Sequence, residues 1–155
     1  MSSDYYNLPF GGQLLVWTSR MYINGYNRTI PNKHEMIKMA YNKVNIFNGY
    51  DLLNNLLSLL RNNEKFNLQK INSRRLNENE ILLTECVEHY KHTDKTASIF
   101  IKKWELKKIK DQFSLSSHNL AKAYLNANLH TSNKTKSYKN NLINLYNMNL
   151  SNTVH

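Results

Sequence analysis

The chain has 155 residues, 41% hydrophobic and 21% charged, with 21 Lys and Arg against 11 Asp and Glu, a formal charge of +10. That length sets one domain as the expectation, and that much apolar material excludes a chain disordered throughout. A single cysteine, Cys86, excludes an internal disulfide and a cysteine-based zinc knuckle, and no apolar run reaches the roughly 18 residues of a membrane-spanning helix.

Met1 to Gln13 reads as a lead-in, because Pro9, Gly11 and Gly12 oppose a helix before residue 12. The first residues carry no basic segment followed by an apolar one, so no secretory leader is expected. A helix over Gln13 to Gly25 follows from Leu14, Trp17, Thr18 and Met21 at helical spacing. Asn32 and Glu35 have capping-box spacing and open a second helix, Lys33 to about Phe47, with Met36, Ile37, Ala40, Val44 and Phe47 as its stripe. Asn48-Gly49 interrupts it. Tyr50 to Arg61 is the densest apolar stripe, with leucines at 52, 53, 56, 57, 59 and 60, and the rest of the chain is expected to arrange itself around it.

Asn62 to Arg75 is a polar connector. Leu76 to Ile81 then combines a capping box, Asn77 with Glu80, and a hydrophobic staple, Leu76 with Ile81. The helix so opened runs from about Glu78 to Lys91 and buries Leu82, Leu83, Cys86, Val87 and Tyr90. Thr93 or Asp94 caps a further helix through Phe100 and Trp104, whose period continues to Phe113, and Ser116 or Ser117 restarts one through Leu125. Thr131 to Asn141 is a polar run, and Leu142, Ile143, Leu145, Tyr146, Met148 and Leu150 form an amphipathic patch. The expected fold is all-α: a small bundle or orthogonal array of five to six helices over residues 1–130. Residues 131–155 make a polar, loosely attached tail, disordered or with one short amphipathic helix.

Three groups of residues carry candidate chemistry. Glu85, Glu88, His89 and His92 share one side of their helix, a pattern that can bind a divalent metal or perform acid–base work. That side lies opposite the apolar stripe, so the expectation is four side chains in solvent. Lys102, Lys103, Lys107, Lys108 and Lys110 surround Trp104, and a basic helix with an aromatic can track a phosphate backbone. The plainer reading is a solvated helix with Trp104 buried. Arg74 and Arg75 precede a helix N-terminus, where they can grip phosphate or simply keep a connector soluble.

The charge favours nucleic acid, anionic lipid or an acidic protein as partner. Asn, Lys, Ile and Tyr are abundant while Gly (4) and Pro (2) are scarce, the set that AT-rich codons encode, so part of the lysine excess needs no binding role. The leading expectation is a non-enzymatic, cytoplasmic adaptor or regulatory protein without cofactor. It would offer a helical surface to a protein partner or to a second copy of itself, because the apolar stripes are wider than one small bundle needs. The alternatives are a nucleic-acid-binding module on the lysines and arginines, with Lys134, Lys136 and Lys139, and a metal-dependent enzyme on Glu85, Glu88, His89 and His92.

Overall fold

The computed structural model describes residues 3–25, 32–95 and 97–133. The amphipathic patch at 142–150 and the lysines at 134, 136 and 139 lie outside the described residues. Among the described residues six α-helices form an all-α array: α1 (Phe10–Asn24), α2 (Lys33–Asn42), α3 (Gly49–Leu60), α4 (Glu78–Tyr90), α5 (Ser98–Lys103) and α6 (Lys110–Asn126). No helix among the described residues is long and apolar enough to cross a membrane. Helix α1 packs against α2, α3 and α4, while α6 packs against α3 and α4.

Helix α1 begins earlier than its glycines predict. Pro9 stands at its N-cap, and Gly11 and Gly12 fall within its first turn. Proline is tolerated there because the first N–H groups of a helix have no intrahelical partner. Its buried residues run almost all the way round, from Leu14, Leu15 and Val16 to Thr18, Ser19, Arg20, Met21 and Tyr22. A helix buried on nearly all sides is a central one. The leucine helix α3 therefore shares the organising role, burying Leu53, Leu56, Leu57 and Leu60 at i, i+3, i+4 and i+7. Each such side chain contributes about 1.5–3 kcal/mol relative to leaving it exposed. The leucines read as surplus are spent in this way, with Leu52, Leu59 and Leu82 half-buried against the same core.

Of the two predicted capping boxes only one forms. Asn77 accepts from the Glu80 amide and the Glu80 carboxylate accepts from the Asn77 amide, whereas the Asn32 side chain makes no cap bond at α2. Helix α5 likewise starts after Ala97 with no cap bond from Thr93 or Asp94.

Three helices end in one way. After α2 the Ile46 amide donates to Tyr41 O and the Asn45 amide to Asn42 O, with Asn45 at φ 64°. After α5 the pattern repeats at Leu106 to Ile101 O and Glu105 to Lys102 O, with Glu105 at φ 52°. After α6 it repeats at Leu129 to Tyr124 O and Asn128 to Leu125 O, with Asn128 at φ 57°. These are Schellman closures, in which a left-handed residue is followed by an apolar one that packs back on the helix. A glycine-poor chain puts Asn, Glu and Asn where glycine is usual. The closures cut α2 at Asn42, short of the expected Phe47. They also break the expected continuous helix between Phe100 and Phe113, with a 3-10 turn at Lys107–Ile109 leading into α6.

Polar pins cross the core. The Arg20 guanidinium makes a two-pronged contact with Glu80 at 2.6 and 3.0 Å, and also donates to Ser73 O and Arg75 O. Glu80 in turn accepts from the Gln69 amide. Asn79 accepts from the Trp104 indole N–H and donates to Lys65 O and Asn67 O. The irregular stretch from Asn62 to Asn77 is thus fastened to the first turn of α4. A third pin is a hydroxyl chain, Thr18–Tyr41–Tyr124, at 3.1 and 2.8 Å. Burial pushes the Tyr41 phenol up to about 12 and that of Tyr124 well above its ordinary value.

Candidate functional site

The face carrying Glu85, Glu88, His89 and His92 does not point wholly into solvent, and its four side chains do not converge. Glu88 is 1% exposed. Its Oε1 accepts from the Thr131 amide at 2.7 Å, and its Oε2 lies 3.0 Å from Lys91 Nζ. His92 Nε2 and His130 Nδ1 stand 3.3 and 3.4 Å from that second oxygen. His130 Nδ1 is also 3.3 Å from the Lys91 ammonium, so its one ring nitrogen serves one neighbour at a time. Burial raises the Glu88 pKa, and the Thr131 N–H, the Lys91 ammonium and His130 overcome that to hold it at about 2. A carboxylate so held is a poor proton acceptor near neutrality. The ammonium of Lys91 takes the place that a metal cation would need.

The other members face elsewhere. Glu85 lines a pocket of about 230 Å³ together with Leu8, Leu76, Ile81 and Thr84. The His89 ring donates from Nε2 to Lys95 O at 3.1 Å and stands edge-on to Tyr90, and burial lowers its pKa. Among the described residues no three His, Cys, Asp or Glu side chains are disposed to hold a metal ion. The Cys86 thiol is buried beside Ser117, and burial pushes it up to about 12, which keeps it protonated.

What Glu88 holds is a strap, residues 129–132, laid between α4 and the start of α1. Thr131 Oγ1 donates to Thr84 O at 2.7 Å, and Lys91 Nζ donates to Leu129 O at 2.8 Å. A Cβ on Gly11 would stand 2.3 Å from His130 O, and one on Gly12 would stand 2.3 Å from Thr131 O. Gly11-Gly12 therefore admits a neighbouring backbone. Thr131 and Ser132, expected to open the tail, are buried in the body.

The basic run is also rearranged. Lys102 and Lys103 lie in the last turn of α5, where cations suit the helix dipole, while Lys107, Lys108 and Lys110 lie beyond the break at Glu105. Lys103, Lys107 and Lys110, which helical spacing would put on one face, therefore lie on three successive elements. Lys103 pairs with Glu78 at 2.9 Å, and Lys102, Lys107, Lys108 and Lys110 are exposed. Trp104 is fully buried, so it offers no stacking platform. Arg74 donates to Asp4 at 2.7 Å and its guanidinium lies over the Tyr6 ring. At the α4 N-terminus beside Arg74 and Arg75 the Asn77–Glu80 box takes up the amides of Asn77 and Glu80.

Among the described residues several large apolar side chains stay exposed, Tyr6, Phe10 and Leu115 among them. Phe47 is 73% exposed and Met39 59%, on the turn after α2 and on α2 itself, and Leu125 near the end of α6 is 43% exposed. Phe47 lies between Ile46 and Asn48, both of which line a groove of about 400 Å³. Val44, Ala123 and Ala127 line it too, with Asn45, Asn126 and Asn128. Two Schellman closures build this place: those of α2 and α6 bring two left-handed asparagines to one groove. The signal was present as Asn-Ile at 45–46 and Asn-Leu at 128–129, the left-handed-then-apolar pairs of a helix end without glycine. Comparison of the chain with models of known protein families, with curated proteins and with solved structures gives no match.

Proposed function

We propose that this chain is a non-enzymatic, cytoplasmic helical interaction protein, an adaptor or regulator. Its working surface is centred on exposed Phe47, next in sequence to two residues that line the groove at the ends of α2 and α6. The observation that carries this reading is the exposure of Phe47, 73%, next to a concavity while the core proper is closed. An aromatic side chain left in water beside a groove is the usual form of an interface anchor. The buried charges support the same reading, since Arg20–Glu80 and Lys91–Glu88 are spent on internal bonds. The test is retrieval of partners from a lysate of the source cells by the wild-type chain, by Phe47→Ser and by Leu115→Ser. Leu115 is an exposed leucine elsewhere on α6. Partners lost with Phe47→Ser but kept with Leu115→Ser support the reading. A strictly monomeric chain by light scattering whose retrieval is unaffected by Phe47→Ser refutes it.

A second reading rests on the four exposed lysines, Lys102, Lys107, Lys108 and Lys110, which form no ion pair among the described residues. Three of them crowd the start of α6, where the dipole is already positive and cations are electrostatically unfavourable. An anionic backbone relieves that repulsion. Contact with four phosphates predicts a slope of log affinity on log salt of about −3 to −4 on duplex DNA. Absence of a mobility shift with RNA or DNA at about 50 mM salt removes this reading.

A further inference from the structure

We propose that the groove between the α2–α3 turn and the end of α6 binds an uncharged polyhydroxyl ligand, a sugar, through the side-chain amides of Asn45, Asn48, Asn126 and Asn128. The proposal goes beyond the interaction reading and does not depend on Phe47. All four asparagines line the groove and are exposed. Among the described residues none of their side-chain amides has a hydrogen-bond partner. Asn48 stands at the N-cap of α3, where an asparagine oxygen ordinarily accepts from an amide of the first turn. Asn77, in the same position on α4, makes that bond. Asn48 makes none and lines the groove instead. Asn45 and Asn128 are held by their helix closures at φ 64° and 57°, so their backbones are fixed before any ligand arrives. Such preorganisation lowers the entropy cost of binding.

The chemistry of the lining selects the ligand. A primary amide offers two N–H donors and an acceptor oxygen, and a hydroxyl both donates and accepts. A sugar carries hydroxyls around its edge and C–H groups on its faces. It therefore matches amides interleaved with the short apolar chains of Val44, Ile46, Ala123 and Ala127. No ionisable side chain lines the groove, so nothing there makes a charge-assisted bond to a phosphate or a carboxylate. That disfavours nucleotides and acidic sugars. An added peptide strand is disfavoured too, because strand addition needs free main-chain groups. Here the amides of Asn45, Ile46, Asn128 and Leu129 already donate to carbonyls of α2 and α6. The groove's volume, about 400 Å³, lies in the range of small-molecule sites.

The test is an NMR titration of the full, isotope-labelled chain, followed through the side-chain amide resonances of its asparagines. The probes are glucose, galactose, mannose, N-acetylglucosamine and maltose, with the phosphate ester of glucose and adenosine as counterparts. At least one neutral sugar at about 10 mM, ten times a weak dissociation constant of about 1 mM, is expected to shift the groove amides saturably. Asn48→Ala and Asn126→Ala should each weaken that binding about threefold or more, the loss of one hydrogen bond. Asn48 makes no cap bond, so its replacement should leave α3 intact. Asn119 is an exposed asparagine of α6 that does not line the groove, and Asn119→Ala should leave binding unchanged. Circular dichroism of each variant confirms that the helices persist. No saturable shift with any of the sugars, or binding indifferent to both Asn48→Ala and Asn126→Ala, overturns the proposal. Tighter binding of the phosphate ester than of glucose itself, or of adenosine than of every sugar, overturns the ligand class and the proposal with it.

Discussion

Glu88→Gln isolates the charge on the strap's anchor. Glutamine keeps an oxygen that can accept from the Thr131 amide, but it removes the negative charge beside Lys91. It therefore mimics the protonated acid. The Glu88 pKa, lowered from 4.5 to about 2, corresponds to about 3 kcal/mol in favour of the folded state, at about 1.36 kcal/mol per pH unit. The sign follows from the lowered folded value. The contribution is fully present above pH 4.5 and is lost as the pH falls from there to about 2. At pH 7 the variant is expected to lose about 3 kcal/mol in urea unfolding, or about 6–12 °C in Tm for a chain of this size. The gap between variant and wild type should close as the pH is taken toward 2. Both proteins should keep a shallower acid slope from Asp4, whose pKa is lowered by the Tyr6 N–H and by Arg74. Hydrogen exchange at the Thr131 amide should speed up in the variant. Replacing both charges, Glu88→Gln with Lys91→Met, should recover part of the loss, because the unpaired buried ammonium is removed as well. A variant within about 0.5 kcal/mol of wild type at pH 7, the scatter of an ordinary surface substitution, or a gap that does not change with pH, would refute the account of Glu88 as a charged anchor.

Other positions give sharper or simpler readings. Glu105 sits at φ 52°, where an L side chain costs about 1–2 kcal/mol and glycine does not. Glu105→Gly should stabilise the chain by about 0.5–1 kcal/mol in urea, after glycine's own entropy cost and the loss of an exposed pair with Lys65 worth little. Unchanged or lower stability would mean that the closure of α5 is not strained. Gly12→Ala puts a methyl against Thr131 O and should cost about 1–3 kcal/mol, with exchange rising in the strap before the core; uniform exchange would argue against a strap. Arg20→Met leaves the Glu80 carboxylate buried without its cation and should cost about 3–5 kcal/mol by chemical denaturation. A loss below about 1 kcal/mol, the net worth of an ordinary hydrogen bond, would show that Glu80's amide partners suffice.

The all-α class, the leucine helix and the capped start of α4 were legible in the order of residues. Each rests on partners within one or two turns: leucines at helical spacing on α3, and Asn77 three residues from Glu80. Local geometry is fixed once such short-range preferences agree. The helix ends at Asn45, Glu105 and Asn128 were legible in part, since a polar residue followed by an apolar one marks a Schellman closure, but no glycine announced them. The inward turn of Glu88 was not legible. Its face is opposite the main apolar stripe, and it is buried only because residues 129–132, more than forty positions away, are laid over it. Arg20 finds Glu80 sixty positions on by the same kind of return. Nor could periodicity tell which apolar residues would be left over. The wide leucine stripes are consumed where helices cross, and Phe47 stays in water because α2 ends before reaching it. Periodicity assigns a residue to a side of its helix, and the sequence thereby determined the helices. Which segment, if any, comes to cover that side is a long-range contact, and only the tertiary structure decided it.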